Sequence, residues 1–152
     1  MSSAQTAIEA VKKTLVVNCS PERAFEVFTR EVATWWPLSQ YSIGGDRITA
    51  VIWEERVGGR IYERHGDGGE GEWGRVLAWG PPHRFVMSWY PGKDAGAATE
   101  LEVHFTAEGS GTRVDLEHRG WEILGETAAE SRAGYDGGWP TVLGHFERAF
   151  ES

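Results

Sequence analysis

Between Trp53 and Trp89 the chain runs WEERVGGRIYERHGDGGEGEWGRVLAWGPPHRFVMSW, and no other stretch restricts the fold so strongly. Short runs rich in β-branched and aromatic residues alternate with Gly-Gly, GDGGEG and Pro-Pro breaks, the pattern of strands joined by short turns. The stretch also places four tryptophans on one small sheet. Rings of that size must be buried or must surround a hollow.

The same reading extends to the rest of the chain. Strands are expected over 12–18, 48–57, 60–65, 72–79, 84–90, 99–107 and 112–119. In the last pair Leu101, Val103 and Phe105 alternate with Glu100, Glu102 and His104, and Val114 and Leu116 alternate with Arg113, Asp115 and Glu117. Such alternation means one buried face and one wet face. Ser20-Pro21-Glu22 marks a helix start: serine caps an unpaired N–H, proline already has helical φ, and the glutamate complements the dipole. Phe25 and Phe28 follow at helical spacing. A second helical turn carries Val32, Trp35 and Trp36 before Pro37 stops it. Near the end the period changes again. Trp139, Val142, Leu143, Phe146 and Phe150 form one stripe of a helix. A shorter helical piece precedes it over 126–135, and Gly134, Gly137, Gly138 and Pro140 leave the join between the two open.

An antiparallel sheet with one apolar face needs a cover, and the only long amphipathic element is the terminal helix. The expected fold is therefore α+β: a curved antiparallel sheet wrapped around a long C-terminal helix, with two short helices after the first strand. It forms one domain over 11–152, after a flexible arm at 1–10. Between sheet and helix there is room for a small molecule.

Composition excludes several functions. A net charge of −8, with fifteen scattered basic residues against twenty-three acidic ones, argues against nucleic-acid binding. No apolar run approaches the roughly 20 residues of a membrane span. No signal-peptide pattern opens the sequence, and the single cysteine, Cys19, permits no internal disulfide, so the cytoplasm is the expected compartment. The histidines lack metal-ligand spacing, and no nucleophile elbow or phosphate loop is present. No metal and no cofactor are expected.

The expected ligand-cavity residues are mainly aromatic: Trp36, Trp53, Trp73, Trp89, Phe105, Trp121, Tyr135, Trp139 and Phe146, lining the sheet, the lid or the mouth. Three polar groups join them. His118 continues the parity of Val114 and Leu116 and should point inward, where a neutral imidazole could orient a ligand or act as a base. Glu63 shares parity with Ile61, and Arg75 with Trp73 and Leu77; if both point inward they can pair with each other, because an isolated buried charge is costly.

Taken in order, Arg56-Val57-Gly58-Gly59-Arg60, Glu63, Trp73-Gly74-Arg75-Val76, Pro81-Pro82-His83-Arg84-Phe85 and Ser88-Trp89 resemble the SRPBCC superfamily. Within it they most resemble the branch homologous to the activator of the Hsp90 ATPase. Glu117-His118-Arg119-Gly120-Trp121, Gly138-Trp139-Pro140 with Leu143 and Phe146, and Cys19-Ser20-Pro21-Glu22-Arg23-Ala24-Phe25 extend the likeness over most of the chain. The resemblance implies the START-like helix-grip fold. It also admits three functions, since the superfamily includes ligand carriers, co-chaperones and cyclases. The first is binding of a small hydrophobic, lipid-like or aromatic ligand. The second is a protein-interaction module acting on a chaperone. The third is a cyclase- or hydrolase-like enzyme with His118 and Glu63 as acid and base. A monomer and a homodimer are both compatible with these.

Overall fold

The computed structural model describes residues 8–37 and 42–150. Seven strands form one antiparallel sheet: β1 Val11–Val17, β2 Ile48–Trp53, β3 Arg60–His65, β4 Glu70–Gly80, β5 Arg84–Trp89, β6 Thr99–Glu108 and β7 Gly111–Arg119. Their order is β1-β7-β6-β5-β4-β3-β2, so the first strand closes beside the last and β1 and β2 are the edges. The sheet curls into a half-barrel around the C-terminal helix α2, Ala128–Arg148. This is the expected helix-grip architecture.

Local chemistry sets the boundaries. Helix α1, Pro21–Phe28, starts as its cap requires, with Ser20 Oγ accepting the Arg23 N–H at 3.2 Å. Phe25 and Phe28 then pack edge-on or tilted against Phe85 and Phe105 of the sheet. The expected second turn is a single 3-10 turn over Val32–Thr34. Strand β2 stops at Trp53 rather than at 57. Glu54 Oε1 takes the Arg60 N–H at 2.8 Å, and that side-chain bond turns the chain before the ladder can continue.

The join left open in the C-terminal segment is continuous helix. Helix α2 continues through Gly134, Gly137, Gly138 and Pro140. A glycine costs about 1 kcal/mol and a proline about 3 kcal/mol in a helix interior. Trp139, Val142, Leu143 and Phe146 are all buried on its inner stripe, and each stabilises the docked helix by about 1.5–3 kcal/mol. Packing therefore overrides propensity. The helix ends at Arg148, so Phe150 lies beyond it, although its ring still rests on Phe146 at 5.1 Å. The end of the expected N-terminal arm is held. Ile8 N–H reaches Glu122, and Arg132 donates to the carbonyls of Glu9 and Ala10. The remainder of the arm, 1–7, lies outside the described residues.

Strand β4 departs from simple alternation twice. Opposite β3, Ile61 pairs with Gly74 and Tyr62 with Glu72, leaving Trp73 as an extra residue. Opposite β5, Val76 pairs with Met87 and Ala78 with Val86, leaving Leu77 extra. Each bulge reverses the side-chain parity. Trp73, Val76 and Trp79 consequently face inward at intervals of three, while Arg75 and Leu77 face out. At the first bulge β4 and β5 approach so closely that a Cβ on Gly74 would lie 1.8 Å from the Ser88 carbonyl oxygen.

Candidate functional site

The middle of the half-barrel is solid. Trp73, Phe85, Phe105, Trp121, Phe146, His118 and Glu63 are all essentially inaccessible there. Open space occurs at one end instead, where the C-terminal end of β5 faces the N-terminal half of α2. This cleft has a volume of about 580 Å³, within the roughly 300–1,000 Å³ of small-molecule sites.

Three elements form its walls. Trp89, with Pro91 and Gly92 just after β5, makes the sheet side. One face of α2 makes the opposite side: Ser131, Gly134 and Gly138 withdraw, while Tyr135, Trp139 and Val142 project. Trp36, Ser42 and Ile43, from the segment between α1 and β2, make the third. The aromatic walls touch one another. Trp89 lies 5.5 Å from Trp139 and 6.0 Å from Trp36, and Trp36 meets Trp139 edge-on at 5.9 Å. Tyr135 adds a fourth ring, 6.3 Å from Trp89 and perpendicular to it.

Two of these rings are oriented by their own polar atoms. Trp89 Nε1 donates to the Tyr135 hydroxyl at 3.0 Å. Burial raises the Tyr135 pKa, with the Trp89 bond acting weakly the other way, so the phenol keeps its proton. Having accepted one bond, it can donate to a ligand oxygen. Trp139 Nε1 donates to His118 Nδ1 at 3.1 Å. That bond fixes the tautomer: Nδ1 accepts, so the proton sits on Nε2 and is donated to Thr99 Oγ1 at 2.7 Å. Thr99 passes its own proton to the Trp89 carbonyl at 3.3 Å. The chain Trp139–His118–Thr99–Trp89 leaves no donor unused and links the two facing walls from behind.

His118 is thus a neutral, fully bonded core residue, packed 4.2 Å from Trp121 and 4.8 Å from Tyr135. Burial lowers its pKa to about 3. Below its unfolded value near 6.5 the unfolded chain binds a proton that the native ring refuses, so this stability is complete above 6.5 and falls with pH. The slope is about 1.4 kcal/mol per unit, reaching a loss of about 2 kcal/mol at pH 5. Paired carboxylates act in a lower window. Burial raises the pKa of Glu102, but bonds from Arg119, His104 and Arg84 outweigh it and hold the group at about 2; its contribution is lost only as pH falls below the usual carboxylate range. Urea midpoints measured from pH 7 to pH 5 should therefore fall in the wild type and stay level in His118→Phe.

Glu63 belongs to a separate network. Its Oε1 accepts from Trp73 Nε1 at 2.6 Å and Ile43 N at 3.0 Å, and its Oε2 from His65 Nε2 at 2.7 Å and Gly44 N at 2.5 Å. Burial pushes its pKa up, but the four donors outweigh it and the net shift is downward. Among the described residues it shares no hydrogen bond with His118, so the two groups offered as acid and base sit in separate networks.

The condition for a Glu63–Arg75 pair is not met, because only Glu63 points inward. Arg75 lies on the outer face with half of its side chain exposed, 3.4 Å from Glu72 and from the Gly58 carbonyl. The bulge at Trp73 reversed the parity on which that pairing rested. Of the other sequence candidates, Trp36, Trp89, Tyr135 and Trp139 meet at the cleft. Trp73 packs behind Trp36 at 5.1 Å, and Trp121 behind His118. Phe105 and Phe146 belong to the phenylalanine core around Phe28. Trp53, at the end of β2, packs on Trp79 and Phe85, and its Nε1 has no hydrogen-bond partner among the described residues. Sequence reading missed Ser42, Ile43 and the recessed helix face. A signal for the last existed, because Ser131, Gly134 and Gly138 stand at i, i+3 and i+7, a groove cut along one side of a helix.

No described helix is long and apolar enough to cross a membrane. The family model described as "Activator of Hsp90 ATPase homolog 1-like protein" matches residues 18–151. Among solved structures, the chain is similar to an anthrahydroquino-γ-pyrone synthase, Txn09, complexed with SUM. The identity is 38% over 93% of this chain and 97% of that one, with a TM-score of 0.66. It is also similar to CalC, a self-sacrificing resistance protein from Micromonospora echinospora, at 28% identity over 93% and 94% of the two chains, TM-score 0.68. The Aha1 dimer from Colwellia psychrerythraea matches at 16% identity over 95% and 97%, TM-score 0.66, a likeness of fold alone. A comparison with curated proteins gives no significant match.

Proposed function

The chain belongs to the activator of Hsp90 ATPase homolog 1-like family, and on that premise we propose that its cleft binds a flat polycyclic aromatic molecule bearing quinone or hydroquinone oxygens. The observation that carries this is the cleft itself, in which Trp36 and Trp89 face a helix side that projects Tyr135 and Trp139 and is hollowed at Ser131, Gly134 and Gly138. A slot walled by indoles favours a planar ring system over a flexible chain, since aromatic faces attract one another beyond simple burial. The Tyr135 hydroxyl supplies a donor for one ligand oxygen. This ligand class agrees with the name of the 38% identical synthase. A co-chaperone role has only the family description behind it.

The test uses 1,8-dihydroxyanthraquinone as probe and tryptophan emission as readout. Saturable quenching with micromolar affinity is expected. Gly134→Phe should weaken binding by about fiftyfold or more, because a Cβ there meets open space and the ring would occupy the slot while the helix gains a better former than glycine. Absence of saturable quenching in the wild type, or unchanged affinity in Gly134→Phe, would count decisively against the cleft.

A further inference from the structure

We infer that Glu63 is a positioning residue that sets the width of the cleft, an assignment that rests on reading the cleft as the ligand site. Glu63 is fully buried and is not among the lining residues. Its two oxygens nevertheless hold the backbone of the third wall, taking the consecutive N–H groups of Ile43 and Gly44. On its other side the same carboxylate is fixed to the sheet through Trp73 and His65. One ionised group therefore ties the segment that presents Ile43 to strands β3 and β4.

The fit around this tie is close. A Cβ on Gly44 would lie 2.5 Å from the His65 ring and 2.9 Å from Glu63 Oε2, so only glycine brings the wall into bonding range. Ile43 in turn is seated over Gly71, where a Cβ would lie 2.7 Å from its Cδ1. Four donors converge on four lone-pair directions, which a carboxylate satisfies and an amide cannot. A glutamine would turn its NH2 toward two of the four donors. Each oxygen serves one sheet donor and one wall donor, so either amide orientation turns the NH2 against one wall N–H and leaves the wall held by one bond instead of two.

Two measurements on the full chain test this. Glu63→Gln should speed amide hydrogen exchange at Ile43 and Gly44 well beyond the rest of the molecule, with no ligand present. It should also weaken 1,8-dihydroxyanthraquinone binding by about tenfold, the effect of roughly one or two lost hydrogen bonds. Val103→Ala, a core change in β6 chosen to lower the thermal midpoint by a similar amount, should leave both readouts at wild-type values. Should Glu63→Gln not fold, Gly44→Ala, which forces the wall off the carboxylate, should give the same two effects. Wild-type protection at Ile43 and Gly44 in either variant overturns the inference, as does an equal affinity loss in Val103→Ala. A wild type that does not bind the probe would retire the cleft reading alone, and the exchange rates would still decide whether Glu63 holds the wall.

Discussion

Replacing His118 with alanine should destabilise the fold by about 4 kcal/mol, more than most single changes in a domain of this size. The side chain is fully buried, so its removal leaves a cavity among Trp121, Tyr135 and Trp139. It also strands the Trp139 N–H, which has no other acceptor among the described residues. Cavity formation and an orphaned donor each contribute about 2 kcal/mol. His118→Phe separates them: the volume is kept and only the hydrogen bonds are lost, so the expected loss is about half as large. Urea unfolding at pH 7 measures both. Equal losses in the two variants would mean that the packing matters less than the bonds to Trp139 and Thr99. Trp139 would also be free to turn in either variant, so affinity for the aromatic probe should drop even where the fold survives.

Gly74→Ala should cost about 3 kcal/mol or more. The added methyl would lie 1.8 Å from a carbonyl oxygen of the neighbouring strand, and neither partner is a flexible side-chain tip. Strands β4 and β5 would have to separate, weakening the Tyr90 N–H bond to the Trp73 carbonyl at 2.7 Å and the Arg75 N–H bond to Ser88 Oγ at 2.9 Å. Overpacking of side chains alone usually costs about 1–3 kcal/mol, and backbone against backbone has less room to relax. A fold that tolerates alanine with an unchanged urea midpoint would show that the bulge is not needed to set the spacing. The same change would displace Trp89 at the end of β5, so loss of probe binding should accompany loss of stability.

These two positions mark where the sequence could and could not be read. The β6–β7 hairpin was legible because Leu101, Val103 and Phe105 alternate without interruption, and the inward direction of His118 followed by counting in twos. The same counting failed on β4. Nothing in Trp73-Gly74-Arg75 announces two bulges, since they arise from how β4 meets both neighbours at once. Arg75 was therefore placed on the wrong face. The start of α1 was plain from Ser20 and Pro21, which act locally. The continuity of α2 was not, because four weak helix formers are overruled by burial that only the folded sheet provides. The cleft suffered similarly. Aromatic content pointed to a hollow, but the rings in the centre pack against one another, and the space opens only where small residues on α2 face Trp89. The wall at Ser42 and Ile43 depends on a carboxylate twenty residues away in β3, a contact that no local pattern encodes.

The contact spacing of the indoles has a consequence for any optical titration. Trp36 lies 5.6 Å from Trp35, 5.1 Å from Trp73, 6.0 Å from Trp89 and 5.9 Å from Trp139, distances at which excited-state energy hops between rings before it is emitted. Light absorbed by any member of that cluster can be drained by an acceptor stacked on one of them, whereas Trp53 and Trp79, paired 6.0 Å apart, share no ring contact with it. A single bound quinone should therefore darken far more emission than its immediate neighbours account for, and the midpoint of the curve, not its depth, carries the affinity.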